Sequence, residues 1–573
     1  MTKNETRGLR KNLTSYGDDA FSLFLRKAFI KAMGYSDDAL DRPIVGITNT
    51  FSGYNACHQT VPQLIDAVKR GVLLSGGLPV DFPTISLHES FANPTSMLYR
   101  NLMAMDTEEM LTAQPMDAVV LIGGCDKTVP AQLMAAASAN IPAVAVVTGP
   151  MMTGSHRGER LGACTDCRRL WGKHRGGEID DDEIDEISGK LAPTAGTCMV
   201  MGTASTMALT TEALGMMMPG GACIPAVQAD RLRNAEDSGR RAVAIAAERL
   251  TPDRIMTPKA FANALRVLLA VGGSTNAVIH LTAVAGRLGI RIGLDAIDRM
   301  SRQTPVLVDL KPSGLQYMED LQRAGGLAAV LREIRPLLHL DCLTVTGRTL
   351  GEELDAAPPP WDQTVVRRRD DPIHPEGGIA VLRGNLAPEG AIIKQSGASP
   401  ELLVHTGRAV VFDSLEDMTK RIDDPDLDVA ADDVLVLRNA GPKGAPGMPE
   451  AGYIPIPRAL ALQGVRDMVR ISDCRMSGTA FGTVVLHATP ESAVGGPLSR
   501  LRSGDRISLD VPNRSLDVLV DQAEFEARAP VTLSHDEILR GYKRLHLDHI
   551  LQADEGCDLD FLTERPFKAT VSS

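Results

Sequence analysis

The chain has 573 residues, of which 44% are hydrophobic and 23% charged, and its formal net charge is −12. This balance is typical of a soluble globular protein, and the length predicts more than one domain. The acidic charge argues against nucleic acid as a partner, and there is no apolar run of the roughly 18 residues that a membrane helix needs. Because the polar N-terminus also lacks the apolar stretch of a secretory signal, we expect a cytoplasmic protein.

The first part of the chain alternates short apolar runs with helical patterns. Residues 43–48 are typical of a buried strand, and in residues 61–72 the apolar side chains recur at helical spacing. Residues 117–122 predict a second strand, after which Thr128 is placed to cap a helix. Residues 141–147 then return to a strand pattern. This βαβ order predicts an α/β domain with a parallel sheet.

The composition changes after residue 355. Residues 356–378 hold three consecutive prolines and many charges, which favours an exposed linker. Beyond them lie shorter strand-like runs, punctuated by glycine and proline: GGIAVLRGN, RAVVFDS, DVLVLRN, DRISLDVP and SLDVLVD. We therefore predict a large N-terminal α/β domain over residues 1–375 and a smaller C-terminal β-rich, barrel-like domain over residues 376–573.

Three of the nine cysteines share one kind of context. Cys57 and Cys125 each follow a predicted strand and precede a helix, and Cys198 lies in a Gly/Thr-rich turn before another helix. Loops at the carboxyl ends of parallel strands often build sites, and a helix N-terminus favours the thiolate form that binds iron. Three such thiolates are enough to hold an iron–sulfur cluster and leave one iron open. By spacing alone, each cysteine is equally compatible with a small apolar residue of the core.

The remaining cysteines carry weaker signals. Cys164 and Cys167 form a C-x-x-C pair, the spacing of redox and zinc motifs. No second pair follows at zinc-finger distance and no thioredoxin-like βαβ pattern surrounds the pair, so we interpret both as incidental loop thiols. The other four are interpreted as ordinary thiols: Cys223, Cys342, Cys474 and Cys557.

Several segments resemble motifs of the dihydroxy-acid dehydratase and 6-phosphogluconate dehydratase family: GGCDKT, AGTCMVMGTASTMA, AVGGSTNAVIHL, GGIAVLRGNLAPEGAIIK, GPKGAPGMPEAGY and VRISDCRMSGTAFGTVVLH. They occur in the family's order and cover residues 43–515. MLYRNLMAMDTEEM and GCDLDFL are similar to the sugar-acid branch, such as L-arabinonate and D-xylonate dehydratases. The resemblance implies a hydro-lyase that converts a small polyhydroxy acid to a 2-keto-3-deoxy acid.

The resemblance also implies cofactors. Cys57, Cys125 and Cys198 match the three ligands of an iron–sulfur cluster, a [2Fe-2S] centre in the sugar-acid branch, with [4Fe-4S] as the alternative. Many relatives have Pro-Cys-Asn at the first position, where this chain has Ala56-Cys57-His58. The thiol is retained, so we expect the cluster to form. For His58 and His280 a structural role is favoured, with proton transfer as the alternative for each.

The magnesium and catalytic residues follow from the same motifs. Four residues match the surroundings of a Mg²⁺ ion in the family: Glu89, Asp126, Lys127 and Glu450. The lysine is carbamylated in relatives, which turns an ammonium into the hard oxygen ligand that magnesium prefers. Ser477 matches the proposed catalytic base, and Thr479 lies beside it. Outside these motifs the same residue types are ordinary surface carboxylates, a helix cap, an ammonium and a turn hydroxyl.

Two other functions stay open at this stage. One is a dihydroxy-acid dehydratase of branched-chain amino-acid synthesis, or an enzyme that acts on both substrate types. The other is a non-catalytic iron–sulfur protein for electron transfer or sensing, which would leave the magnesium residues unexplained. By resemblance we expect a homodimer or homotetramer. Which acid the enzyme prefers does not follow from the sequence.

Overall fold

A computed structural model of the protein describes residues 7–13, 16–533, 535 and 537–572. Among these residues, none of the helices combines the length and the apolar character that a membrane span requires. The fold is the predicted mixture of an α/β part with a parallel sheet and a C-terminal closed β-barrel.

A four-stranded parallel sheet forms the centre of the N-terminal part, with the order β2-β1-β3-β4. Its strands are β1 (Ile44–Asn49), β2 (Leu78–Pro83), β3 (Ala118–Gly123) and β4 (Ala143–Val147). Every residue of β3 and β4 is buried, which explains why these strands are continuous apolar runs rather than alternating ones. The three strands predicted from sequence are confirmed, with small differences at their ends.

Helices surround this sheet. They are α1 (Asp19–Ala32), α2 (Val61–Leu74), α3 (Arg100–Ala113), α4 (Thr128–Ala139), α5 (Thr165–Arg175), α6 (Asp181–Ser188), α7 (Thr203–Ala213), α8 (Ala229–Glu248), α9 (Pro252–Ile255), α10 (Pro258–Ala270), α11 (Asn276–Arg287), α12 (Leu294–Ser301), α13 (Met318–Arg323), α14 (Gly326–Glu333) and α15 (Leu350–Ala356). The predicted periodicity of α2 is confirmed, because its apolar positions are buried. Short strands β5 (Gly154–His156) and β6 (Glu159–Leu161) form a hairpin, and β7 (Ile290–Arg291) lies after α11.

The predicted cap of α4 is wrong. The helix begins at Thr128, its N-cap is Lys127, and no side-chain cap hydrogen bond forms there. Thr128 lies one position too far into the helix for its hydroxyl to reach the next free N–H groups. Among the described residues, this hydroxyl has no hydrogen-bond partner.

The C-terminal part is a closed barrel in the order β10-β11-β12-β13-β9-β8-β15-β14. Its strands are β8 (Ala380–Gly384), β9 (Ala387–Ile393), β10 (Val404–Phe412), β11 (Val434–Leu437), β12 (Arg470–Ser472), β13 (Val484–Thr489), β14 (Arg506–Asp510) and β15 (Ser515–Val518). The five runs predicted from sequence correspond to β8, β10, β11, β14 and β15. Helices α16 (Leu415–Arg421), α17 (Arg458–Leu462), α18 (Gln522–Ala527) and α19 (Gly541–His549) flank it.

The chain connects the N-terminal part and the barrel twice, before β8 and after α19. The segment 356–378 is mostly exposed, as predicted for a linker, although Val366 is buried and bridges Val308. After α19 the chain returns to the N-terminal part, where β16 (Ala569–Thr570) pairs with β7. The buried guanidinium of Arg100 donates to the carbonyls of Gly556 and Cys557 at 2.9 and 2.7 Å. The β16–β7 pairing and the Arg100 hydrogen bonds hold the C-terminal part against the N-terminal part.

Candidate active site

The candidate site lies where parallel strands of both parts end. In the N-terminal part, Cys57 follows β1, Glu89 follows β2, and Cys125 follows β3. In the barrel, the loop after β11 carries Glu450 and the loop after β12 carries Ser477. Loops at the carboxyl ends of parallel strands can converge, because these ends share one edge of a sheet.

Two of the predicted cluster thiols are in contact. Cys57 lies in a short 3-10 turn, in which its N–H donates to Oδ1 of Asn55 at 3.1 Å. The Cys57 thiol is hydrogen-bonded to Cys125 and to His88, and both interactions lower the pKa of Cys57, while the same pairing raises the pKa of Cys125. A lowered pKa favours the thiolate, which is the form that binds iron.

A glycine permits this close approach. A Cβ atom on Gly124 would lie 1.8 Å from Oγ1 of Thr148 and 3.1 Å from the carbonyl oxygen of Cys57. No side chain fits at that position without moving the loop. Gly124 therefore lets the Cys125 loop pack directly on the Cys57 turn.

His58 connects the same two loops. Its Nε2 accepts the N–H groups of Gly124 and Cys125 at 3.0 and 3.1 Å, so Nδ1 carries the ring proton and donates to the carbonyl of Thr50 at 2.8 Å. The ring is fully buried, and burial lowers its pKa to about 4. Because both ring nitrogens are engaged, the geometry supports the structural role of His58 and not that of a proton carrier.

The predicted magnesium residues also meet. Carboxylate oxygens of Glu89, Asp126 and Glu450 lie within 4.8 Å of one another. The buried ammonium of Lys127 pairs with Asp126 and lies 3.6 Å from Oε2 of Glu89. Three carboxylates at this spacing form the kind of hard oxygen donor set that a divalent cation prefers.

Arg475 balances the charge of this group. Its Nη1 donates to Oε1 of Glu450 at 2.5 Å, and Nη2 lies 3.4 Å from Oε2 of Glu89. Burial alone would favour protonated Glu89, but the cations of Arg475 and Lys127 hold the pKa of this carboxyl well below its usual range. For Glu450, burial and the nearby Glu89 raise the pKa despite Arg475.

Hydroxyl groups orient Glu89. Oε1 accepts the hydroxyl of Thr95 at 2.6 Å, and Oε2 accepts both the N–H, at 3.2 Å, and the hydroxyl of Ser96. The Thr95 hydroxyl also accepts a hydrogen bond from Nη2 of Arg475 at 2.7 Å. These contacts fix the carboxylate in one direction, toward Asp126 and Glu450.

Ser477 lies on a turn of the barrel that packs on the N-terminal part. Its Oγ is 2.8 Å from Oγ1 of Thr479. A Cβ on Gly478 would lie 2.6 Å from Cβ of Ser274 and equally close to the N atom of Thr203. The turn is thus seated against the start of α7, directly after the Cys198 loop.

The GGSTN segment, residues 272–276, supports this turn. Nδ2 of Asn276 donates to the carbonyl of Met476 at 3.0 Å, and the N–H of Ser274 donates to Thr206 at 3.1 Å. His280 on the same helix is buried and accepts a hydrogen bond from Arg100 at 3.1 Å. The segment therefore acts as a structural turn.

The C-x-x-C pair, interpreted from sequence as incidental, lies beside the predicted cluster residues. The Sγ atoms of Cys164 and Cys198 are 3.5 Å apart. Cys164 is the N-cap of α5, and its thiol is hydrogen-bonded to that of Cys167 in the first turn. Five thiols therefore surround this end of the sheet, and not three.

Three further residues of the site were not predicted: His88, Lys394 and Arg475. His88 is adjacent to Glu89, and Arg475 lies two residues before Ser477. Lys394 directly follows β9, its Nζ lies 3.4 Å from the carbonyl oxygen of Gly478, and burial lowers its pKa to about 7. The lysine that directly follows an apolar strand is the local signal for this buried amine, since lysine is rarely found fully buried.

The donor atoms form two sets of different chemistry. Soft thiols from Cys57, Cys125 and Cys198 suit iron, while the three carboxylates suit magnesium. Asp126 joins the sets, because the thiol of the adjacent Cys125 lies 3.4 Å from its Oδ1. The residues present therefore fit both groups that the family motifs imply.

Comparison with known proteins gives consistent matches. The models of the dihydroxy-acid/6-phosphogluconate dehydratase N-terminal and C-terminal regions match residues 42–353 and 364–557. An L-arabonate dehydratase of Azospirillum brasilense is 48% identical over 558 residues, 96% of each chain. A 6-deoxy-6-sulfo-D-gluconate dehydratase of Pseudomonas putida is 44% identical over 552 residues, 96% of this chain and 95% of the relative. A dihydroxy-acid dehydratase of Acetivibrio thermocellus is 40% identical over 547 residues, 93% of this chain and 97% of the relative.

Proposed function

The chain belongs to the dihydroxy-acid/6-phosphogluconate dehydratase family and is a hydro-lyase, and from this premise we propose that it dehydrates a sugar acid to a 2-keto-3-deoxy acid. The substrate would be an aldonate such as L-arabinonate, D-xylonate or D-gluconate. Two relatives named for sugar acids are 48% and 44% identical to this chain, against 40% for a dihydroxy-acid dehydratase. This difference in identity supports the sugar-acid assignment.

We further propose that Cys57, Cys125 and Cys198 hold a [2Fe-2S] cluster and that Glu89, Asp126 and Glu450 hold Mg²⁺. When bound, both groups would supply Lewis-acid stabilisation of negative charge on the substrate oxygens. The observation that carries the proposal is the approach of three carboxylates to within 4.8 Å, beside paired thiols. Lys127, buried against Glu89 and Asp126, would join the ligands as a carbamate.

Side chains of the protein would accept the C2 proton of the substrate. Loss of water from a 2,3-dihydroxy acid removes the C2 proton and the C3 hydroxyl group. Ser477 would act as an alkoxide that takes the C2 proton at Oγ and becomes the neutral hydroxyl. Thr479, 2.8 Å away, would donate its hydroxyl hydrogen to the alkoxide oxygen and stabilise its negative charge before the transfer. The seating of Gly478 against Ser274 and Thr203 would hold the turn at a fixed distance from the cluster loop. The enol that results would tautomerise to the keto acid.

Two alternatives remain distinct from this proposal. A preference for 2,3-dihydroxy acids of branched-chain synthesis, or action on both substrate types, is supported by the 40% identical dihydroxy-acid dehydratase. An electron-transfer or sensor function would leave the group of three carboxylates without a role, and the family's hydro-lyase activity argues against it.

The test combines cofactor counting with a substrate panel. The protein would be purified anaerobically, its iron and sulfide measured, and keto-acid formation followed with L-arabinonate, D-xylonate, D-gluconate and 2,3-dihydroxyisovalerate. We expect iron and sulfide in the protein, and a higher kcat/KM for one of the sugar acids than for the branched-chain acid. A clear preference for 2,3-dihydroxyisovalerate would overturn the sugar-acid assignment, and a protein active without iron would overturn the cluster.

A further inference from the structure

We propose that Cys164, Cys167 and Cys198 form a thiol–disulfide exchange site, in which the C-x-x-C pair takes up oxidation that would otherwise fall on Cys198. The site would react with a hydroperoxide as oxidant and with a small thiol as reductant. The inference rests on the proposed function in one respect, namely the assignment of Cys198 as a cluster ligand, and the exchange concerns the protein before the cluster is inserted, when Cys198 is a free thiol.

The three sulfur atoms are arranged for exchange. Cys164 is the N-cap of α5 and Cys167 lies in the first turn of that helix, while Sγ of Cys164 is 3.5 Å from Sγ of Cys198. A disulfide needs an S–S distance of about 2.05 Å, so closure of the Cys164–Cys198 bond requires an approach of only about 1.5 Å. Cys164 can therefore form a bond with either neighbour without a large rearrangement.

Solvent access separates these three cysteines from the others. Cys164, Cys167 and Cys198 are partly exposed, whereas the other six cysteines are buried. Cys57 and Cys125, which also belong to the site, have exposed fractions of only 5% and 3%. An oxidant or a thiol from solution would therefore meet the proposed exchange site before it met the remaining thiols of the active site.

A surface cleft leads to the pair. Cys164 and Cys167 line a cavity of about 680 Å³ together with Arg168, Trp171 and His174. The cavity is large enough for a small thiol to reach either sulfur. Both cysteines also pack against a hydrophobic cluster that includes Met199 and Tyr317. A purely structural role predicts no disulfide between them after oxidation, whereas thiol–disulfide exchange predicts one.

The chemistry balances with one equivalent of hydroperoxide. A thiolate of Cys164 attacks the peroxide, the O–O bond breaks, and a sulfenic acid and one molecule of water or alcohol form. The Cys198 thiol then attacks this sulfur, an S–S bond forms, and the sulfenic oxygen leaves as water. Next, Cys167 attacks Sγ of Cys164, the Cys164–Cys198 bond breaks, and Cys198 leaves as a thiolate that recovers the proton. The products are a Cys164–Cys167 disulfide and a reduced Cys198.

A disulfide map tests the sequence of steps. The full-length protein would be purified anaerobically, freed of iron by chelation, treated with equimolar hydrogen peroxide, alkylated and analysed by mass spectrometry, in parallel with C164S, C167S and the control C342S. The wild type and C342S should show the Cys164–Cys167 disulfide and an alkylated Cys198. C167S should trap the Cys164–Cys198 disulfide, and C164S should show neither bond but sulfinic or sulfonic acid at Cys198.

The contradicting outcomes are equally specific. If Cys164 stays a free thiol in both the wild type and C167S while other cysteines oxidise, the proposal is overturned. These two proteins decide the result even if C164S fails to fold. Absence of iron, or of keto-acid formation, in the protein before chelation would count against the proposed function, whereas the disulfide map is recorded on the iron-free protein and does not depend on either, so the two failures can be told apart.

Discussion

The buried Arg475 donates a hydrogen bond to Glu450 at 2.5 Å, within a partly buried group of three carboxylates. The two residues come from neighbouring loops of the barrel, after β12 and β11. Arg475 also lies 3.4 Å from Glu89 in the N-terminal part. The guanidinium therefore links both parts of the protein across the proposed magnesium site, where it lowers the repulsion between like charges.

Replacement of Arg475 should make folding depend on magnesium. In R475M the partly buried carboxylates lose their guanidinium, so we expect a loss of up to about 3 kcal/mol in the free energy of unfolding in a magnesium-free buffer. Added Mg²⁺ should recover part of this loss, because the cation binds the folded state. Urea unfolding with and without Mg²⁺ measures both effects.

Arg438 offers a matched control, since it is also a buried arginine paired with an aspartate, Asp413, at 2.6 Å. R438M should lose stability to a similar degree, but Mg²⁺ should not restore it. If Mg²⁺ gave no more recovery in R475M than in R438M, the carboxylate group would not be a magnesium site.

Removal of the Ser477 hydroxyl should abolish turnover without affecting the fold. A positioned general base contributes roughly 10²–10⁴-fold to a rate, so S477A should lose at least about 10²-fold in kcat. Iron content and the thermal unfolding temperature should stay at wild-type values, because the side chain is partly exposed. T479S, which keeps a hydroxyl next to Ser477, should retain most of the activity. A fully active S477A would exclude Ser477 as the base.

Cys125 should be required for iron. C125S replaces a soft thiolate with a hydroxyl that binds iron weakly, so we expect loss of iron, sulfide and keto-acid formation. C342S serves as the control, since Cys342 is a buried thiol hydrogen-bonded to Asn263, outside the proposed site. Retention of both iron and activity in C125S would contradict the proposed cluster ligands.

Some elements could be predicted from sequence because their residues carry a local signal. Strands β1 and β3 are continuous apolar runs bounded by polar or glycine residues, and burial of both faces produces that pattern. Strand β9 was missed because Pro388 and Gly390 interrupt it, and β12 was missed because it has only three residues. A barrel provides the pairing that such weak segments do not specify by themselves.

The residues of the site also divide into those that a local motif predicts and those that it does not. Glu89, Asp126 and Ser477 lie in motifs that resemble known ones, so their sequence neighbours were enough to select them. The contact of Arg475 with Glu89 spans 386 residues, and the Cys164–Cys198 contact also joins separate loops. Neither local periodicity nor spacing encodes such pairings, because they depend on how whole elements pack.

Protonation of His546 should weaken the fold in mild acid. This residue of α19 is buried, its Nε2 accepts the N–H of Gly447 in the Glu450 loop at 3.3 Å, and burial lowers its pKa from 6.5 to about 4. Between pH 4 and pH 6.5, His546 carries a proton in the unfolded chain but not in the folded protein. The stabilisation is therefore complete above pH 6.5 and is lost as the pH falls toward 4. The shift corresponds to about 3 kcal/mol.

A variant without this titration should show a flatter pH dependence. In H546Q the side-chain carbonyl can still accept the N–H of Gly447, but the side chain no longer titrates. Between pH 7 and pH 4, the free energy of unfolding should therefore fall by about 3 kcal/mol less in H546Q than in the wild type. Part of the slope should persist, since burial also lowers the pKa of His58 to about 4. H549Q alters an exposed histidine of the same helix, paired with Asp560, and should keep the wild-type slope. Equal slopes in H546Q and H549Q would show that His546 is not held neutral against the Glu450 loop.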